Sequence, residues 1–196
     1  MCTIPIILKS VIFLIVFILV LKWINIHPRL SILKKYINQS WVDIQQVYQY
    51  RTDLIPHIAL AISGIEKLKR HVPALTDAWA KTTSIDINFK KLNRPSFRRF
   101  TLIQDNTSKV LAALMEAVEH APQLKIPQDL SELFEKLDGA ECRILVAKRD
   151  FNEVAQFYNN SFPSFPDNIF AVIFGFRRKN YFEVKEEVEV EPKIRF

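Results

Sequence analysis

The sequence predicts an all-α protein in which an N-terminal transmembrane helix is followed by an antiparallel helical bundle with a long first helix. Three observations predict this class: an apolar N-terminus, a helical spacing of apolar residues from position 37 onwards, and a chain of 196 residues with only 3 glycines. Few glycines argue against a β-sandwich or β-barrel, because those folds need a turn about every 8–12 residues.

The composition fits one folded domain. Hydrophobic residues make up 49% of the chain, which is enough for a core and too apolar for intrinsic disorder. The net charge of +6 suits a protein near an anionic surface but does not define a function. The two cysteines, Cys2 and Cys142, do not make a disulfide framework, and Cys142 is expected to be a small buried residue of a helix.

The N-terminal apolar segment, residues 4–21, is interrupted mainly by Lys9. As a helix it would be about 27 Å long, which spans a hydrocarbon layer of about 30 Å if the Lys9 ammonium group reaches the surface. Trp23 then lies where interfacial aromatic residues usually lie. We therefore predict an anchor over residues 1–28 that contacts the lipid bilayer through residues 4–23.

A cleaved signal peptide is the alternative interpretation, since a lysine precedes a short apolar stretch. The sequence that follows, KWINIHPRL, has no small-x-small cleavage site, which favours an uncleaved anchor. Lys9 alone precedes the span, whereas four basic residues follow it: Lys22, Arg29, Lys34 and Lys35. This bias predicts a single-pass protein of the cell inner (cytoplasmic) membrane with its N-terminus outside and its C-terminal domain cytoplasmic.

Residues 29–196 are predicted to form the helical bundle. Its first helix covers about residues 30–72, because apolar residues alternate in steps of four and three along one face. This row, which we call the seam, consists of Ile37, Trp41, Ile44, Tyr48, Ile55, Ile58, Ile62 and Ile65. The helix would be about 60 Å long. Pro73 is expected to bend or end it, with residues 74–81 as a candidate further piece.

The rest of the chain predicts two more helices and an apolar segment. Residues 82–96 read as a connection, residues 96–121 as the second helix and residues 127–161 as the third. Proline at the start of the third helix suits a first helical position. The apolar segment 167–183 follows, and then a charged tail with an extended pattern.

Four segments together resemble the LemA family of small bacterial membrane-anchored proteins. They are WVDIQQVYQYRTDLIPHI from residue 41, LDGAECRILVAKRDFNEVAQFYN from residue 137, FPDNIFAVIFGFRRKNYFE from residue 165, and the terminal PKIRF. Arg51, Asp53 and Pro56 lie on matching positions of the first segment, and Glu141, Arg149 and Asp150 on those of the second. Two departures from the family pattern are Tyr50 and His57.

The resemblance implies a helical bundle behind one transmembrane helix and supplies no enzymatic activity or cofactor. The main hypothesis is therefore a non-enzymatic, membrane-anchored scaffold or interaction module that presents surfaces to an unknown protein partner. A homo-oligomer is left open. No catalytic or metal-binding residue is assigned under this hypothesis.

Arg51 and Glu141 are predicted to form an ion pair inside the bundle. Continuing the seam from Tyr48 places Arg51 on it, and the same spacing places Glu141 between Leu137 and Ile144 on the third helix. A buried arginine without an acidic partner would cost several kcal/mol. The alternative is that Arg51 lies at the edge of the seam and extends to water.

A metal-dependent enzyme is the second hypothesis. Asp53 and His57 lie four residues apart on one helix face and could supply two metal ligands or a base. Such acid–histidine pairs are also ordinary contacts on helix surfaces, and the sequence contains no HExxH motif. An ordinary helix-surface contact is favoured for both residues.

Two further segments are candidate surfaces. The stretch IFAVIFGF, which contains Phe170, Phe174, Gly175 and Phe176, is too short to span a membrane. It is expected to cap the end of the bundle, fold back under it or hold a partner. The basic loop 90–99 is expected to be solvated. Lipid contact is disfavoured because a helix of about 60 Å would separate the loop from the membrane, and no nucleic-acid partner is predicted.

Overall fold

A computed structural model describes residues 3–85, 94–121, 126–164 and 167–183, with side chains from residue 8 onwards. Within these ranges the chain forms helices and no strand, as the sequence predicts. The helices are α1 (Thr3–Ser63), α2 (Val72–Thr83), α3 (Arg94–Glu119), α4 (Gln128–Asn160) and α5 (Asp167–Ile173), with a 3₁₀ turn at Lys69–His71. The tail beyond Glu183 and residues 90–93 of the basic loop lie outside the described residues.

Helix α1 joins the apolar N-terminus to the bundle without a break. It has 61 residues, which corresponds to about 90 Å, and it continues through Pro28 and Pro56. Judged by length and composition, it is the one helix in the described ranges that is able to cross a membrane. The predicted anchor and the predicted first bundle helix are therefore one element.

The predicted end of the first bundle helix at about residue 72 is wrong. Helix α1 ends at Ser63, and Gly64, which has a low helix propensity, follows it. Leu68 nevertheless remains buried, because the turn after α1 folds it back against the same core. Pro73 lies in the first turn of α2, where its missing N–H costs no helical hydrogen bond.

The four longer helices run alternately away from and towards the N-terminal apolar segment. On α4, Glu141 meets Arg51 and Phe151 meets Trp41, so α4 runs antiparallel to α1. Helix α3 contacts Trp41 near its start and the distal part of α1 near its end, so it runs parallel to α1. Helix α2 completes the up–down–up–down bundle on the return path.

Two groups of buried residues form the core on either side of Arg51. The group nearer the apolar N-terminus, which we call the aromatic cluster, includes Trp41, Phe97, Phe100, Phe151 and Phe182. The group further along α1, the aliphatic cluster, includes Ile55, Ile58, Ile62, Leu75, Leu111, Leu114, Leu130 and Leu137. The seam predicted from the sequence is buried from Ile37 to Ile62.

The basic segment is expected from the sequence to lie a helix length of about 60 Å away from the membrane anchor, and this distance is wrong for residues 94–99. Because α2 runs back along α1, α3 begins beside Trp41, whose ring centroid is 6.1 Å from that of Phe97. Residues 94–99 therefore lie about 27 Å along α1 from Trp23, and not beyond the far end of the bundle. Cys142 is also exposed, contrary to expectation.

Candidate functional site

Arg51 of α1 is fully buried and forms hydrogen bonds with two other helices, α3 and α4. Its Nη1 donates to Glu141 Oε1 of α4 at 2.8 Å and to Ser108 Oγ of α3 at 2.5 Å. Its Nη2 donates to the side-chain Oε1 of Gln104 at 2.5 Å and to the backbone oxygen of the same residue at 3.2 Å. The predicted contact between Arg51 and Glu141 is therefore present. Helix α3 adds further hydrogen-bond acceptors for the guanidinium group, from Gln104 and Ser108.

The two charges differ in their exposure. The Arg51 side chain is 0% exposed, whereas that of Glu141 is 35% exposed, so the carboxylate reaches water at the edge of the seam. Gln104 and Ser108 were not predicted to take part. Their spacing of four residues on α3, next to buried Thr107, is the signal that could have indicated an inward polar row.

Tyr48 lies next to the guanidinium group. The Arg51 Cζ atom is 5.0 Å from the centroid of the Tyr48 ring, which is the geometry of a cation–π contact. Burial raises the pKa of the Tyr48 phenol well above its usual range, while the charge of Arg51 acts in the opposite direction. This layer of polar groups separates the aromatic cluster from the aliphatic cluster.

Asp53 and His57 lie on the exposed side of α1. Asp53 Oδ1 accepts a hydrogen bond from Gln49 Nε2 at 2.7 Å. Among the described residues, no group of three or more His, Cys, Asp or Glu side chains is placed to hold a metal ion. Pro56 is also exposed, and the kink expected there stays a prediction.

The predicted residues Arg149 and Asp150 are exposed on α4 and are not brought together with Arg51. The neighbouring Asn152 has a different role, which the sequence did not indicate. Its side-chain Nδ2 donates to the backbone oxygen of Phe182 at 2.8 Å, and the Phe182 N–H donates to its Oδ1 at 2.7 Å.

A second asparagine, seven residues further along α4, repeats this arrangement. Asn159 Nδ2 donates to the Lys179 backbone oxygen at 2.9 Å and to the Tyr181 hydroxyl at 2.8 Å, and the Lys179 N–H donates to Asn159 Oδ1 at 2.8 Å. The two asparagines hold the segment after α5 against α4. Phe182 thereby enters the aromatic cluster, with its ring stacked on Trp41 at 6.1 Å.

The apolar residues that the sequence singled out lie on α5 and in the turn that follows it. Phe170 and Phe174 are half-buried, Phe176 is buried, and Gly175 adopts a φ of 79°. The Phe176 N–H donates to the Ala171 oxygen at 3.0 Å, which together with the glycine is a Schellman ending. This turn directs Phe176 back against α1.

An apolar groove of about 360 Å³ lies between the distal part of α1 and α2. Its lining includes Ile55, Pro56, Leu60, Val72 and Trp79. Leu60 is 75% exposed and Trp79 is 39% exposed. Nothing in the sequence pattern indicated this groove, because it depends on the return of α2 along α1.

The fold defines a class of protein, an antiparallel helical bundle continuous with an N-terminal apolar helix. The sequence model of the LemA family matches residues 40–196, and the chain belongs to this family. The match includes the segments that contain Arg51, Glu141 and Asn152.

Two curated relatives share a shorter region. The chain is 33% identical over 75 residues to magnetosome protein MamQ 2 and to magnetosome protein MamQ 1 of Paramagnetospirillum magneticum (strain ATCC 700264 / AMB-1). The alignment covers 38% of this chain and 28% of each relative. The chain therefore matches little more than a quarter of the length of these relatives.

Proposed function

We propose that this protein is a non-enzymatic scaffold that is anchored in a membrane by α1 and presents its bundle to a protein partner. The observation that carries the proposal is the continuity of α1, which links the largely exposed, mainly apolar segment 8–21 directly to the buried seam of the bundle. Because α1 is not interrupted between the apolar segment and the bundle, it would hold the bundle in a defined position relative to the bilayer.

We place the bundle on the cytoplasmic side of the inner membrane. Lys22, Arg29, Lys34 and Lys35 follow the apolar segment, and Lys9 alone lies towards its start, which is the pattern that the positive-inside rule assigns to this orientation. Fusions of alkaline phosphatase and of a fluorescent protein to the C-terminus test this proposal. The phosphatase fusion should be inactive and the fluorescent fusion bright, and the reverse result would contradict the orientation.

The buried charged residue of the family segments, Arg51, supports a scaffold because its side chain is used to pack helices together. Arg51 is enclosed by side chains of α3 and α4, which leaves no room for a substrate at its guanidinium group. We assign the partner-binding surface to the groove between α1 and α2, where Leu60 and Trp79 expose apolar area away from the apolar N-terminus.

A photo-crosslinking experiment tests this surface. A photoreactive amino acid at position 60 is compared with one at position 102, since Leu102 is also a largely exposed leucine, at 60%, but lies on α3 outside the groove. In native membranes we expect a discrete adduct from position 60 only. An adduct of twice the chain's mass identifies a second copy as the occupant. Equal labelling from both positions, or none from position 60, contradicts the assignment.

A further inference from the structure

Helix α5 exposes apolar side chains on one face. Ile169, Val172 and Ile173 are 50%, 53% and 63% exposed. Their spacing of three and four residues places them side by side on the helix surface. The opposite face is anchored, because Ala171 is buried in the aromatic cluster. The exposed face is therefore held in a fixed direction.

This face lies beside the end of the apolar part of α1. Lys22 Nζ donates to Asp167 Oδ1 at 2.6 Å, which fixes the start of α5 next to the first charged residue after the apolar run. The Phe176 ring lies 5.6 Å from that of His27. Because α5 has 7 residues and is about 10 Å long, its exposed face is within about 10 Å of the Lys22 ion pair.

Neighbouring residues on α1 continue the apolar surface. Trp23 and Ile24 are 48% and 56% exposed and directly follow Lys22. Tryptophan is enriched where a protein meets the headgroup region of a bilayer. A headgroup region is about 5–8 Å deep on each side of the hydrocarbon core, so a helix lying at this level would be in contact with it.

The surrounding charge is strongly positive. Within residues 22–35 and 167–182 the lysines and arginines are Lys22, Arg29, Lys34, Lys35, Arg177, Arg178 and Lys179. The acidic residue of these two segments, Asp167, is already paired with Lys22. Arg177 and Arg178 are exposed just beyond the α5 turn. Burial, and then the charge of Lys34, lower the pKa of Lys179.

We propose that α5 is a second membrane contact of this protein, in which Ile169, Val172 and Ile173 insert shallowly into the bilayer that α1 crosses. Arg177 and Arg178 bind anionic lipid headgroups beside it. This inference rests on the proposed anchoring by α1. A bilayer fits this face better than a protein does, because the face is small, lies at the level of the membrane surface and is bordered by positive charge.

Depth-dependent quenching tests the insertion with the full chain. Single cysteines replace Ile173, Phe13 or Val146 in a Cys2→Ser, Cys142→Ser background, and each carries an environment-sensitive fluorophore. Phe13 lies in the apolar segment, and Val146 is an exposed apolar residue of α4 near the level of Arg51 and Trp41. The proteins are reconstituted into vesicles of phosphatidylcholine and phosphatidylglycerol that contain lipids brominated at defined depths.

We expect deep bromines to quench the label at position 13, and shallow bromines to quench position 173 at least about twofold more than position 146. Quenching at position 13 with equal values at 173 and 146 would overturn the second contact, leave the anchor intact and favour a protein as the occupant of this face. No quenching at position 13 would overturn the anchoring itself, and the second contact as stated falls with it.

A charge variant tests the role of the headgroups. Arg177→Gln with Arg178→Gln should reduce quenching at position 173 in phosphatidylglycerol-containing vesicles to the value found in phosphatidylcholine alone. Arg98→Gln with Arg99→Gln is the matched control, because it removes the same charge from exposed positions of α3. If both double variants quench like the parent, Arg177 and Arg178 do not bind headgroups.

Discussion

The two halves of the core are built differently. The aromatic cluster gathers rings from α1, α3 and α4, and it is completed by Phe182, which is 141 residues from Trp41 in the chain. The aliphatic cluster contains leucines and isoleucines and is covered by α2, the next α-helix along the chain after α1. Arg51 and its partners lie between them.

The two ends of the bundle also differ in how completely their cores are covered. At the aromatic end, a segment from the distant C-terminal part of the chain fills the last space against Trp41 and is held there by asparagines. At the aliphatic end, α2 leaves an open apolar groove beside Leu60. We therefore expect substitutions at the aromatic end to affect folding, and those in the groove to affect binding.

The largest expected effect is that of Trp41→Ala, compared with Trp79→Ala. Trp41 is 0% exposed and its ring lies within 6.1 Å of four phenylalanine rings, so its removal should destabilise the protein by about 3–5 kcal/mol. Trp79 is 39% exposed in the groove, and its loss should cost about 1 kcal/mol. Urea unfolding of the full chain in detergent micelles measures both values. Equal losses would contradict the distinction between the two ends.

The next effect concerns the polar layer between the clusters. Glu141→Leu leaves the fully buried Arg51 charge without its acid, and we expect a loss towards the lower end of about 3–5 kcal/mol because Gln104 and Ser108 still accept hydrogen bonds. Arg51→Met should cost less than Glu141→Leu, since the partly exposed carboxylate can turn to water.

The double variant provides the control for this pair. Adding Arg51→Met to Glu141→Leu should restore stability, because no buried charge then remains. Recovery should be incomplete, since the buried oxygen of Gln104 loses its donor. Glu135→Leu removes an exposed acid from the same helix and should change little. If Glu141→Leu melts like Glu135→Leu, Arg51 is not stabilised by this carboxylate.

The part of this layer that could be predicted from the sequence is the pair of charges that interrupts an apolar row on each helix. Position 51 continues the spacing of the buried seam, and position 141 lies between two apolar positions of α4, so both charges were placed correctly. Gln104 and Ser108 were missed because polar residues on a helix resemble solvent-facing ones until the packing of α3 is known.

The end of α1 and the path of α2 could not be read from the apolar spacing. Leu68 is buried although it follows the helix, so the pattern continues past the turn at Gly64 and mimics a longer helix. The position of α3 relative to the apolar N-terminus depends on this turn. The wrong position of the basic segment followed directly from the missed reversal, because periodicity reports which residues are buried and not where the chain turns.

Smaller effects than those at Trp41 and Glu141 are expected from the asparagines that hold the C-terminal segment. This segment has no periodic pattern to predict its position. Asn152→Ala removes both hydrogen bonds to Phe182, and Asn159→Ala removes those to Lys179. Each should cost about 1–3 kcal/mol, because backbone groups lose their partners in a part-buried place.

Amide hydrogen exchange distinguishes the two asparagine variants. Asn152→Ala should accelerate exchange at the Phe182 amide first, and Asn159→Ala at the Lys179 amide, since each asparagine accepts one of these N–H groups. Asn106→Ala, at an exposed position of α3, should change neither amide. Unchanged exchange at both amides in both variants would mean that Phe182 is held at the aromatic end by ring packing alone, and the asparagines would then have no part in closing it.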